Sequence, residues 1–180
     1  WKSLAEGEGL VLAAPDSADP RGWGVPQDGP DFIRDLVEEL KRRHAVDPRR
    51  VYLFGYSAGA VFALSLSMME SEYFAASAVY AGAWRGPNDS AVMRYARRKT
   101  PLAIYVGDRD ELFPPDSVRA TEAALKGQGF DARVTLLKDR THRYADAAEE
   151  VNRGAWEFLK RQRLAADPAY KTYSIPSAVR

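Results

Sequence analysis

The chain of 180 residues is 46% hydrophobic and 28% charged, which is enough apolar material for one well-formed core. Lys and Arg total 26 against 25 Asp and Glu, so a net charge of +1 excludes the strong field that gathers nucleic acid or an acidic membrane surface. The absence of cysteine excludes disulfides, thiolate metal sites and cysteine nucleophiles. No apolar run approaches the ~20 residues of a membrane span. We therefore expect a small-molecule partner, and the compartment stays open with a slight preference for the cytoplasm.

The first quarter of the chain predicts a helix end, a strand, a loop and a second helix. Residues 1–8 are interpreted as the end of a helix, and the apolar run 10–14, stopped by Pro15, as a buried strand. Residues 17–30 are rich in Gly, Pro and Asp and predict a loop. An amphipathic helix is predicted to follow a capping Asp31. Its apolar residues at helical spacing are Phe32, Ile33, Leu36, Val37 and Leu40.

Strands and helices alternate in the rest of the chain. The predicted strands are residues 51–54, 75–80, 102–106 and 132–137. The predicted helices are residues 58–69, residues 117–126 and a last helix with an apolar stripe of Ala148, Val151, Ala155, Phe158 and Leu159. This alternation predicts an α/β fold, a mostly parallel sheet with helices on both faces. Residues 1–166 are assigned to this domain, and residues 167–180 are interpreted as a strap or a loose end.

Residues Gly55-Tyr56-Ser57-Ala58-Gly59 match the pattern G-x-S-x-G between an apolar strand and an apolar helix. In that setting the strand-to-helix turn is tight, and glycine is expected to be needed on both sides of the serine. The turn presents the hydroxyl at the strand end. The Ala58 N–H, at the positive end of the helix, is expected to face an oxyanion. Ser57 is therefore the candidate nucleophile.

A serine nucleophile needs a base, and the chain has only two histidines. His44 lies at the end of the amphipathic helix, where a histidine complements the helix dipole, and is interpreted as structural. His142 follows the last predicted strand and precedes the last helix, where a loop can reach across the carboxyl edge of the sheet. His142 is therefore the candidate base.

The carboxylate is expected between serine and histidine in the chain order of these sites. The strand ending near Gly107 opens into a loop that contains three carboxylates. We favour Asp110, because it lies a few residues beyond the glycine, where the loop bends back toward His142. Asp108 and Glu111 stay open as alternatives, and Asp108 is expected to hold the turn through backbone N–H groups.

The sequence at these positions resembles the α/β-hydrolase superfamily, in particular its carboxylesterase, feruloyl esterase and polyhydroxybutyrate depolymerase-like branches. The resemblance covers about residues 4–161 and is carried by residues 47–59, 105–114 and 141–144. It implies the α/β-hydrolase fold and hydrolysis of a small-molecule ester through an acyl-enzyme, without a metal or organic cofactor. Asp110 matches the family acid and His142 matches its base.

The sequence departs from that family at its beginning. In that family, several strands and a loop with the second oxyanion donor precede the segment that matches residues 1–15. We therefore expect a fragment of a longer protein, with an N-terminally incomplete domain, rather than a shortened sheet. A serine peptidase or amidase of the prolyl-oligopeptidase-like type and a non-catalytic hydrolase-fold module are the alternative functions. The oligomeric state and the second oxyanion donor are not assigned.

The pocket is expected at the carboxyl ends of the strands, where ligands bind in open α/β sheets. Four aromatic residues are predicted near it, as substrate contacts or as packing residues: Trp23, Tyr56, Trp84 and Phe113. Arg85 is expected either to meet a substrate carboxylate or to be solvated.

Overall fold

The computed structural model describes residues 1–20, 22–24 and 27–171, in which four strands alternate with helices. The strands are β1 (Tyr52–Tyr56), β2 (Ala76–Tyr80), β3 (Leu102–Gly107) and β4 (Ala132–Leu137). The helices are α1 (Lys2–Glu8), α2 (Pro30–Arg43), α3 (Ala58–Met69), α4 (Pro87–Ser90), α5 (Pro115–Gly127) and α6 (Tyr144–Leu159), with a 3₁₀ turn at Ala91–Tyr95. None of the helices in the described ranges is both long enough and apolar enough to cross a bilayer.

The four strands form one parallel sheet in the order β1-β2-β3-β4. Every residue of β2 and β3 is buried, as expected for central parallel strands covered on both faces. One core lies against α3 and α5 and includes Leu64, Ile104 and Val118. The other lies against α6 and includes Tyr80 and Val151. The predicted α/β architecture is thereby confirmed. Because the strands are parallel, the carboxyl ends of all four lie at the same edge of the sheet.

Two local predictions are wrong, and two short elements were not predicted. Residues 10–14 are not in a strand but run as an irregular segment, in which Val11 and Leu12 are about half exposed, because no neighbouring strand of the described chain pairs with them. Helix α2 starts at Pro30 after Gly29, so Asp31 lies inside the first turn rather than at the cap. Helix α4 and the 3₁₀ turn were not predicted, because they are too short to show a periodicity.

The segment after α6 lies along the domain as a strap as far as residue 171. The backbone N–H of Leu164 donates to the Arg49 carbonyl at 3.0 Å, and the Tyr170 hydroxyl donates to Asp31 Oδ1 at 2.6 Å. Residues 172–180 of the predicted tail lie outside the described residues.

The start of β2 is held by the guanidinium of Arg98. Its Nε donates to the Ser71 carbonyl at 2.7 Å, and its Nη2 donates to the carbonyls of Phe74 at 2.6 Å and Ala75 at 2.9 Å. The neighbouring Arg97 is exposed, and within the described part of the chain its guanidinium makes one ion pair, with Glu72 at 3.5 Å.

We predict that Arg98→Met lowers the free energy of unfolding by about 2 to 3 kcal/mol, because three part-buried carbonyls lose a charged donor. Arg97→Met is the matched control and is expected to change the free energy of unfolding by less than about 1 kcal/mol, because its ion pair is exposed. Urea denaturation measures both. Equal losses would contradict the role assigned to Arg98.

Candidate active site

The turn between β1 and α3 places Ser57 at the carboxyl edge of the sheet in a strained conformation. Its φ is +55°, a region that non-glycine residues rarely adopt. The Ser57 N–H donates to the Tyr80 carbonyl at 3.1 Å, which ties the turn to β2. The Ser57 side chain does not cap α3, so its hydroxyl is available to another partner.

The sharpness of this turn depends on Gly55. A Cβ at that position would lie 2.3 Å from the carbonyl oxygen of Gly59 and 2.8 Å from Cα of Ala60, closer than real Cβ contacts. The expectation that glycine is also needed at Gly59 is wrong. Among the described residues outside α3 itself, a Cβ there would meet Trp23 Nε1 at 3.6 Å, which is an ordinary van der Waals contact.

The loop between β4 and α6 brings His142 to Ser57. His142 Nε2 lies 2.9 Å from Ser57 Oγ, although 85 residues separate the two in the chain. The histidine side chain is 18% exposed, so the ring is mostly buried but still reached by solvent. His44 lies at the C-terminal cap of α2, the position predicted for it, and is exposed.

The loop after β3 places Asp110 on the other nitrogen of the imidazole. Asp110 Oδ2 lies 3.0 Å and Oδ1 3.2 Å from His142 Nδ1, and the carboxylate is fully buried. Oδ1 also accepts the N–H groups of Leu112 at 3.0 Å and Phe113 at 2.9 Å. These donors offset the cost of burying the charge. A carboxylate here favours a proton on Nδ1, which leaves Nε2 free to accept the Ser57 proton.

The role expected of Asp108 in this turn is carried out by Asp110. Asp108 is exposed, and its carboxylate makes no hydrogen bond or ion pair with the part of the chain that the structure describes. Glu111 is exposed as well. Of the three carboxylates in the loop, Asp110 is the one that contacts His142.

The N–H of Ala58 is positioned to donate to a ligand beside Ser57. Ala58 is the first residue of the 12-residue helix α3, where N–H groups have no acceptor within the helix, and it is exposed. No acceptor among the described residues takes this N–H. The helix dipole adds a partial positive charge at the same place.

A cleft of about 630 Å³ opens beside Ser57. Its floor includes Val61, Ser65 and Met69, at spacings of four along α3, and sequence reasoning did not assign them to the pocket although the spacing was visible. Trp23 and Phe113 line it as predicted.

Two of the predicted aromatic positions do not line this cleft. Trp84 is a core residue, 6% exposed, and Tyr56 packs beneath the histidine loop. Arg85 does line the cleft and is exposed. The backbone N–H of Arg85 donates to Asp89 Oδ2 at 2.8 Å, and Asp89 lines the same cleft.

The sequence profile of the Dienelactone hydrolase family matches residues 15–169. NocK of Nocardia uniformis subsp. tsuyamanensis, which bears an esterase name, is 36% identical over 131 residues. Those residues are 67% of this chain and 37% of NocK, so the chain spans less than two fifths of that relative.

Solved structures share the same architecture. Esterase PE8 superimposes with a TM-score of 0.60 at 21% identity, covering 73% of this chain and 59% of PE8. Acylaminoacyl peptidase of Pyrococcus horikoshii superimposes with a TM-score of 0.62 at 16% identity, covering 82% of this chain and 30% of the peptidase. These likenesses establish the α/β-hydrolase fold and do not distinguish ester from peptide hydrolysis.

The two glycines of the turn provide a matched test of its geometry. We predict that Gly55→Ala lowers the free energy of unfolding by on the order of 3 kcal/mol, because backbone atoms must move to admit the Cβ. Gly59→Ala is expected to leave stability unchanged or raise it by about 0.5 kcal/mol, since alanine is the better helix former. Guanidinium denaturation measures the free energy of unfolding of both variants. A similar loss of stability in the two would contradict the close contact between Gly55 and the Gly59 carbonyl.

Proposed function

Because the chain belongs to the Dienelactone hydrolase family, we propose that it cleaves carboxylic esters through an acyl-enzyme. Ser57 is the nucleophile, His142 the general base and Asp110 the acid that orients the histidine. The observation that supports this proposal most is the unbroken chain of contacts from Asp110 through His142 to Ser57, at 3.0 and 2.9 Å. This is the arrangement that activates a serine hydroxyl.

In the first half of the reaction, Ser57 Oγ attacks the ester carbonyl carbon while its proton passes to His142 Nε2. Asp110 holds the proton on Nδ1 and stabilises the imidazolium that forms. The Ala58 N–H donates to the developing oxyanion, and such a donor contributes about 3 to 4 kcal/mol in a well-studied protease. The carbon–oxygen bond to the alcohol then breaks, and the alcohol leaves with the proton from Nε2.

In the second half, water replaces the alcohol. His142 takes a proton from the water, whose oxygen attacks the carbonyl carbon of the acyl-serine. The bond to Ser57 Oγ breaks, the carboxylic acid is released and the serine regains its proton. The opening of the cleft beside Ser57 leaves room for water to enter.

The cleft supports a small-molecule ester as substrate. Its walls near Ser57 are mainly apolar, with Val61 on the floor and Phe113 at the side, and they suit the apolar part of an acyl or alcohol group. Arg85 and Asp89 bring opposite charges to the rim, which favours a polar end of the substrate there.

Two alternatives are separated by activity measurements. A peptidase or amidase would hydrolyse both the p-nitrophenyl ester and the p-nitroanilide of the same acyl group, whereas we expect this chain to hydrolyse the ester and to leave the anilide uncleaved. A non-catalytic module would cleave neither and would not react with a fluorophosphonate, which labels activated serines irrespective of substrate.

We predict that a fluorophosphonate labels the wild-type chain and that Ser57→Ala abolishes the labelling. Ser67→Ala is the control, because this buried hydroxyl on the same helix donates to the Ala63 carbonyl at 2.6 Å and contacts no histidine. Gel fluorescence and mass spectrometry of the labelled peptide report both. Labelling of Ser57→Ala at the wild-type rate would show that another residue is the nucleophile.

We predict that Asp110→Asn lowers acyl transfer by ~10³ to 10⁴-fold in a chain that stays folded, because an amide N–H beside Nδ1 favours the wrong tautomer. Asp108→Asn is expected to change the rate less than twofold and stability by less than about 0.5 kcal/mol, as at exposed sites generally. Burst kinetics with p-nitrophenyl acetate measure the rates. A larger loss in the Asp108 variant would assign the acid to Asp108.

A further inference from the structure

Two tyrosine hydroxyls hold the backbone of the histidine loop. Tyr56, the last residue of β1, donates to the His142 carbonyl at 2.9 Å. Tyr80, the last residue of β2, donates to the Thr141 carbonyl at 2.6 Å. The two tyrosines are register partners in adjacent strands, and their rings stack at 5.8 Å. Two adjacent carbonyls of the loop are thus bonded to two adjacent strand ends.

The contact made by Tyr56 ties the base to the nucleophile through consecutive residues. Tyr56 binds the main chain of His142, and Ser57 contacts its Nε2 at 2.9 Å. A movement of the loop away from the sheet therefore breaks the Tyr56 bond and lengthens the Ser57 contact together.

Aromatic packing fixes the plane of the imidazole as well. The ring of Phe113 lies 5.8 Å from that of His142 with an angle of 18° between the planes, and the ring of Tyr56 lies 5.2 Å away at 34°. Residues 138–143 have no helix or strand of their own to hold them. The tyrosine hydroxyls supply two fixed points at Thr141 and His142, where secondary structure supplies none.

Tyr80 is suited to be a permanent donor. It is fully buried, and burial together with the nearby Asp110 carboxylate raises the pKa of Tyr80 to about 12. The phenol therefore keeps its proton throughout the pH range in which a histidine acts as a base.

We propose that Tyr56 and Tyr80 are positioning residues that hold His142 in register with Ser57 and Asp110. This inference rests on the proposed function and adds two residues to it. Neither hydroxyl contacts the substrate cleft. Their effect on the rate passes through the placement of the imidazole, and in enzymes a small misplacement of a catalytic group costs up to about 100-fold.

The test uses Tyr56→Phe, Tyr80→Phe and the double variant, which keep the rings and remove only the hydroxyls. Each single change is expected to lower kcat for p-nitrophenyl acetate, and the rate of fluorophosphonate labelling, by about tenfold with KM within twofold. The double variant is expected to lose more than either single variant.

Tyr52→Phe is the matched control. Tyr52 lies on the same strand, and its hydroxyl donates to the Gln162 carbonyl at 2.7 Å, away from the histidine loop. We expect a loss of thermal stability similar to that of the other variants, with kcat per folded chain unchanged. An equal loss of kcat in Tyr52→Phe would assign the effect to general destabilisation and overturn the inference.

A readout independent of activity comes from ¹⁵N-histidine NMR, because the chain has only two histidines. The wild-type spectrum is expected to show a downfield His142 Nδ1–H resonance from the bond to Asp110. Tyr56→Phe and Tyr80→Phe should broaden or shift it, while His44 and the Tyr52→Phe spectrum stay unchanged. If the wild-type chain neither hydrolyses the ester nor reacts with the fluorophosphonate, the proposed function fails. The His142 Nδ1–H resonance then still shows whether Tyr56 and Tyr80 hold the imidazole against Asp110. Its absence from the wild type, or its persistence unchanged in the double variant, would overturn the inference.

Discussion

The close approach of two backbone segments at Gly55 is the constraint on which the rest of the site depends. Strand β1 turns into α3 so sharply that the carbonyl of Gly59 occupies the space of a Cβ at Gly55. This turn forces Ser57 to a φ of +55°, directs its hydroxyl away from the helix and leaves the Ala58 N–H open. The strain at Ser57, on the order of 1 to 3 kcal/mol, is compensated by the packing of α3 against β1 and β2.

A second close approach fixes the loops of Asp110 and His142 relative to each other. A Cβ at Gly107 would lie 2.1 Å from the Arg140 carbonyl, which also accepts the Arg109 N–H at 2.9 Å. The side chains of Arg109 and Asp139 form an ion pair between the same two loops. The loops that carry Asp110 and His142 therefore form one unit. The His142 imidazole and the Tyr56 hydroxyl join this unit to the Ser57 turn, and the Tyr80 hydroxyl joins it to the end of β2.

The electrostatics of the site follow from burial rather than from net charge. The chain carries almost balanced charges, yet the Asp110 carboxylate is fully buried where two N–H groups and the imidazole surround it. In that setting a developing imidazolium is stabilised far more than it would be in water. Ser57 and Ala58 line the cleft, whereas the Asp110 carboxylate is shielded from solvent.

Local sequence patterns determined the order of strands and helices, the turn at Ser57 and the choice of His142 over His44, because periodicity and turn chemistry act over a few residues. Only the tertiary structure decided what depends on distant neighbours. Residues 10–14 are apolar but unpaired in the described structure, and Gly59 has room for a Cβ that a motif match does not reveal. Asp110, and not Asp108, accepts the backbone N–H groups of the turn after β3. Tyr56 and Tyr80 donate to carbonyls of a loop that lies more than 60 residues further along the chain. Such contacts depend on the order of the parallel strands in the sheet, because this order brings loops that are distant in the chain to one edge. No pattern over a few neighbouring residues predicts them.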